Sequence, residues 1–162
     1  LLFLMLSATI TGTIISRYEE TISAIPLLVS FIPMLMDTGG NCGTQSSTLV
    51  IRGIATDEIR FSDLFKVAFK ESRIALIVGA ALAAVNGLRI IVMYQDPRLA
   101  ILLGISLMCT VFLAELIGCL LPLLAKKVHL DPAIMAAPLI TTIVDTCSII
   151  IYFAIATHLF AL

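Results

Sequence analysis

Residues 21–51, TISAIPLLVSFIPMLMDTGGNCGTQSSTLVI, carry one charge, Asp37, inside an otherwise uncharged run. Such a run exceeds the roughly 20 apolar residues that cross the hydrocarbon core of a bilayer. It is also not uniformly greasy. From Asp37 onward, Asp37, Asn41, Thr44 and Thr48 recur at helical spacing and mark one polar stripe. A stripe of that length cannot face lipid, so it must face protein or water. Three glycines in five residues, Gly39, Gly40 and Gly43, remove side-chain bulk beside it. They allow close helix approach, or a passage beside bare backbone. The stretch reads as one wall of a polar path through a membrane.

The rest of the chain agrees. Of 162 residues, 60% are hydrophobic and 13% charged, with a mean hydropathy of +1.11. A soluble domain is nearer half apolar and a quarter charged. The balance excludes disorder and an ordinary globular enzyme, and a net charge of −1 argues against a nucleic-acid partner. The expectation is an all-α, polytopic membrane protein. It forms one domain over residues 1–162, with five spans near 1–16, 21–51, 74–94, 99–125 and 132–160. Residues 1–16 lack the basic start and small-residue cleavage site of a signal peptide. They open inside a span, so a natural sequence is expected to continue upstream. Between the second and third spans, Phe61, Leu64, Phe65, Ala68 and Phe69 share one helical face, and Lys66, Lys70 and Glu71 the other. This predicts a separate amphipathic helix on the membrane surface near 61–73.

Basic residues orient the spans. Arg52, Arg60, Lys66, Lys70, Arg73, Lys126 and Lys127 fall in the loops of one side. Arg17 and Arg98, with Arg89 close by, lie on the other beside Glu19, Glu20 and Asp96. The positive-inside rule then puts the N-terminus in the cytoplasm and the C-terminus outside the cell membrane. Cys42, Cys109, Cys119 and Cys147 form no C-x-x-C pair. They read as small packing residues rather than a zinc site or disulfide framework. His129 and His158 have no metal-ligand spacing and are expected to be solvated.

Three acids lie at membrane depth: Asp37, Glu115 and Asp145. Asp145 is thirteen residues past Pro132, about 20 Å along a helix and near the bilayer midplane. Asp37 is sixteen residues into its own span from the other side, at a similar depth. Thr141 shares a face with Asp145, and Thr142, Thr146 and Ser148 extend the polar segment. Pro138 frees a backbone carbonyl near Ile134. Carboxylates beside carbonyls and hydroxyls form a hard, oxygen-rich set that suits magnesium or calcium. No cation lies at that depth to neutralise the two aspartates. Glu115 reads as a packing or protonated acid, or as a secondary acidic site.

Two motifs carry a family resemblance. The run Pro33-Met34-Leu35-Met36-Asp37-Thr38-Gly39-Gly40-Asn41-Cys42-Gly43-Thr44-Gln45 resembles the membrane domain of the MgtE magnesium transporter family. So does Leu130-Asp131-Pro132-Ala133, followed by Pro138-Leu139-Ile140-Thr141-Thr142-Ile143-Val144-Asp145. The resemblance implies a homodimeric magnesium channel or transporter whose second and fifth helices line a central pore. It implies that Asp145 is the pore magnesium site, with Thr141, Asp37 and Asn41 as further ion ligands. It puts Gly40, Gly43, Thr44, Ala137, Pro138 and Thr142 in the pore lining. Mg2+ is then the transported and bound ion, with Mn2+, Co2+ or Ca2+ as possible companions. The family's cytoplasmic regulatory domains are not expected within these 162 residues. A sodium- or proton-coupled exchanger is the alternative, with Glu115 as the coupling acid. Asp37-Thr38-Gly39 also copies the D-T-G of aspartic proteases. Val144 and Met36 stand where membrane aspartyl proteases carry their motif residues, so the expectation is a transporter and not an enzyme.

Overall fold

The computed structural model describes the backbone of residues 2–161 and the side chains of 5–132 and 138–161. Its described elements are helical throughout: α1 Leu2–Arg17, α2 Glu19–Ala24, a 3-10 segment Pro26–Phe31, α3 Ile32–Ala55, a 3-10 turn Phe61–Asp63, α4 Leu64–Tyr94, α5 Pro97–Lys127 and α6 Pro132–Phe160. Among the described residues, three stretches are long and apolar enough to cross a membrane: Phe61–Tyr94, Pro97–Lys127 and Pro138–Phe160. At 16 residues, α1 is short for a span. At 24 residues, α3 is long enough, about 36 Å, but its Gly, Asn, Ser and Thr residues make it too polar to count on hydropathy.

The structure differs from the sequence-based expectation in two places. The run over 21–51 is three pieces rather than one rod. Ile25 precedes Pro26 and is pushed out of helical geometry, to φ −137° and ψ 80°. Pro33 then sits in the first turn of α3, where its missing N–H costs nothing. The 3-10 segment between them is held by Tyr152 of α6, whose hydroxyl donates to the Leu28 carbonyl at 3.0 Å. The second difference is the segment over 61–73, which is not a separate surface helix. After the Phe61–Asp63 turn, α4 runs unbroken for 31 residues. Nothing between Leu64 and Ile74 breaks a helix, and tertiary packing extends it. Leu64, Val67 and Ala68 pack on Val50, Ile54, Cys119 and Leu123. Phe65 and Phe69 remain exposed.

Helix α5 is the centre of the bundle and packs on α3, α4 and α6. It starts cleanly: Asp96 accepts hydrogen bonds from the backbone N–H groups of Arg98 (2.9 Å) and Leu99 (3.2 Å), and Pro97 takes the first helical position. Helix α6 packs on α1, α3 and α5. The largest core cluster joins Leu28, Phe31 and Leu35 to Leu102, Leu103, Tyr152 and Phe153. In α1, the hydroxyls of Thr9, Thr13 and Ser16 bond backward to carbonyls of their own helix. This satisfies them without a partner helix.

The α3–α5 crossing is closer than side chains allow. A Cβ built on Gly118 would overlap the Gly43 carbonyl oxygen and lie 3.0 Å from its carbonyl carbon. A Cβ on Gly43 would meet Ile140 Cγ2 at 2.7 Å and the Ala114 carbonyl oxygen at 3.1 Å. The two glycines let the backbones touch, the small-residue packing that membrane helices use in place of hydrophobic drive.

Candidate functional site: an acidic groove between α3 and α6

The polar stripe of α3 faces α6. Met36, Asp37, Gly40, Asn41 and Thr44 line one side of an open groove of about 250 Å³, and Thr141 and Asp145 line the other. The two aspartates come from separate helices, yet they bound the same space. Helical periodicity explains each wall. Asp37, Gly40, Asn41 and Thr44 are three or four residues apart, as are Thr141 and Asp145, so each set shares a face.

The hydroxyls are already committed as donors. Thr44 donates to the Gly40 carbonyl at 2.7 Å and Thr48 to the Thr44 carbonyl at 2.8 Å. Thr141 and Thr142 donate to the Pro138 carbonyl at 3.2 and 2.8 Å. A hydroxyl that donates into its own helix keeps its lone pairs for the groove. The groove therefore presents acceptors: two carboxylates, the Asn41 amide oxygen and threonine oxygens. Oxygen acceptors of this kind have the chemistry that suits hard cations. Among the described residues, no three His, Cys, Asp or Glu side chains gather closely enough to cage a metal. A cation held by two carboxylates and neutral oxygens on one open side keeps part of its water shell.

Not every expected residue reaches the groove. Gly43 is buried behind it, against Ile140 and Ala114, because its place on the helix turns it towards α5. Thr142 and Pro138 do not line the groove; Thr142 is one residue, about 100°, round the helix from Thr141. Ala137 and the carbonyl near Ile134 fall outside the described side chains. The four cysteines are free, and His129 and His158 are exposed.

Glu115 lies elsewhere, buried on the α5 face that meets α3 and α4. Its partner is one the sequence reading put on a solvated face: Glu71, which is only 5% exposed. The two carboxyl groups are near enough to interact electrostatically. Ser46 of α3 donates to Glu71 Oε2 at 3.1 Å and approaches the Glu115 backbone carbonyl at 3.3 Å. Glu71 read as polar-face decoration because its neighbours Lys66 and Lys70 are exposed. The available signal was its i+3 and i+4 relation to the apolar Val67 and Ala68.

The chain is similar to known proteins along nearly all of its length. The family model for MgtE, "Divalent cation transporter", matches residues 32–155. The magnesium transporter MgtE of Thermus thermophilus is 35% identical over 158 residues, covering 96% of this chain and 34% of that protein. That of Bacillus subtilis is 34% identical over 157 residues, covering 97% and 35%. That of Enterococcus faecalis is 35% identical over 161 residues, covering 97% and 34%. The chain thus spans about a third of the length of these curated relatives. With a matched region that contains both walls of the groove, the chain belongs to the MgtE family of divalent cation transporters.

Proposed function

We propose that this chain forms the ion-conducting part of a magnesium transporter in the cell membrane, with the N-terminus on the cytoplasmic side. Mg2+ is the cargo. It moves along the α3–α6 groove, with α1 and α3 completing five spans per subunit. The observation that carries the reading is the convergence of Asp37, Asn41, Thr44, Thr141 and Asp145 on one groove. On the proposed membrane setting both aspartates lie at bilayer depth, where an uncompensated charge is expensive. A divalent cation and its water offset that cost.

The chemistry follows from the ion. Mg2+ gives up water reluctantly and prefers octahedral oxygen coordination. A groove with few charged ligands suits a mostly hydrated ion, held through its own waters by Asp145 and Asp37. Weak, multi-point holding also lets the ion leave, as conduction requires. The groove is open along one side, so one chain does not enclose an ion. A second copy related by a two-fold axis supplies the missing wall and places four aspartates around one path. Mn2+, Co2+ and Ca2+ share the required oxygen chemistry and compete there.

A coupled exchanger is the second reading. The buried Glu71–Glu115 pair favours it, as a proton acceptor apart from the ion path. The test is Mg2+ flux into proteoliposomes, for the parent chain and Asp145→Asn, with and without a sodium or pH gradient. Gradient-independent flux that Asp145→Asn abolishes supports a channel. Flux that needs the gradient supports the exchanger. Undiminished flux in Asp145→Asn removes Asp145 from the path.

A further inference from the structure

A second cavity lies at the opposite end of α6 from its C-terminus, where α5 turns into α6. It measures about 210 Å³, opens on one side, and is lined by Leu121, Leu124, Val128, Leu130, Leu139 and, at its rim, Lys127. The turn itself builds it. Helix α5 ends with His129 in the left-handed region at φ 59°. The His129 N–H donates to the Lys126 carbonyl at 3.1 Å and the Leu130 N–H to the Ala125 carbonyl at 2.9 Å. This pair of bonds is the Schellman ending of a helix. It folds the residue after the left-handed one back over the last turn. Leu130 and Ala125 accordingly line the same slot. Val128 and Leu130 are 62% and 48% exposed, apolar surface left uncovered directly beside two lysines.

The charges at this end are gathered, not scattered. Lys126 Nζ reaches the Ile54 carbonyl at 3.5 Å, and Lys127 Nζ lies 4.4 Å over the Phe61 ring. Those contacts place the Lys126 ammonium at the C-terminal end of α3 and the Lys127 ammonium at the Phe61–Asp63 turn. An ammonium has three donors, so each lysine keeps donors for an anion. Asp131 stands at the head of α6, where the helix dipole favours a carboxylate.

We propose that this slot binds one anionic phospholipid, with an acyl chain along Leu121, Leu124 and Leu139 and the phosphate at Lys127. Charge complementarity selects the occupant. Basic pockets between membrane helices on the positive side take acidic headgroups. A second copy of the chain is disfavoured because a two-fold contact here sets lysine against lysine. Free phosphate has no use for an apolar slot. The site shares no residue with the α3–α6 groove.

The experiment is native mass spectrometry of the purified protein in detergent, titrated with phosphatidylglycerol and phosphatidylcholine of matched chains. Phosphatidylglycerol adducts are expected to survive preferentially. Lys127→Gln is expected to lower that preference about five-fold, the worth of one lysine at an anionic surface, and Lys127→Arg to restore it. Leu124→Trp, which fills the slot, is expected to reduce adducts of both lipids. Lys66→Gln, at an exposed lysine paired with Asp63, is expected to change neither. Wild-type preference in Lys127→Gln overturns the proposal. So does displacement of phosphatidylglycerol by inorganic phosphate. A shift in the monomer–dimer balance at unchanged lipid preference also overturns it, by assigning the slot to a second copy.

Discussion

Gly118→Ala tests whether backbone contact between α3 and α5 positions the groove. The added methyl overlaps the Gly43 carbonyl oxygen, with the Gly43 carbonyl carbon at 3.0 Å and its Cα at 3.1 Å. Carbon atoms in contact prefer about 3.5–4.0 Å. The helices must therefore separate by at least about 0.5 Å. No flexible side chain can absorb the shift, because every clashing atom is backbone. Overpacking of this kind costs about 1–3 kcal/mol, and the rigid partner puts Gly118 in the upper half of that range. For a chain of this size the midpoint falls by roughly 5–10 °C. Function should suffer more than stability. Gly43 lies between Gly40 and Thr44, so any movement of α3 at Gly43 moves the wall that carries Asp37 and Asn41. The assay pairs a thermal melt in detergent with Mg2+ flux in proteoliposomes. Gly104→Ala is the control, since its methyl meets Ala83 Cβ at a comfortable 3.8 Å and adds helix propensity. A Gly118→Ala protein with wild-type melting and flux would refute the close-packing argument.

The two aspartates should differ in degree. Asp145→Asn is expected to abolish saturable Mg2+ flux, whereas Asp37→Asn, at the more exposed wall, weakens apparent affinity and leaves a measurable rate; equal effects would make them one site. Tyr152→Phe removes the hydroxyl that donates to the Leu28 carbonyl and should cost about 0.5–1.5 kcal/mol, read as a lower melting temperature with flux retained. Glu71→Gln keeps a partner for both Ser46 and Glu115 without crowding two carboxyls, and is expected to melt at or above the parent temperature. Glu71→Leu leaves Glu115 without its side-chain partner and is expected to melt lower by several degrees; the reverse order would show that the pair does not brace α3, α4 and α5.

Much of the site was legible before the fold. Asp37 and Asp145 stand out because an ionisable group within an apolar run demands a partner, and the i, i+4 spacing of Asp37–Asn41 and Thr141–Asp145 assigns each to one helical face. The part played by Gly43 stayed open in the sequence for a definite reason. Glycine next to a polar stripe is equally suited to lining a path and to packing, and the neighbour that decides, Gly118, lies on another helix. The separate surface helix over 61–73 rested on amphipathicity, which locates an apolar face but not the end of a helix.

From the amino-acid order alone come the membrane setting, the helical class and the two acidic faces. Each depends on local quantities: hydropathy over one span and the 3.6-residue period. The tertiary structure alone decided that the two acidic faces share one groove, that Gly43 and Gly118 touch, and that Glu71 meets Glu115. Those are pairings between helices far apart in the chain. A periodic pattern says which residues share a face, but only packing says what that face meets.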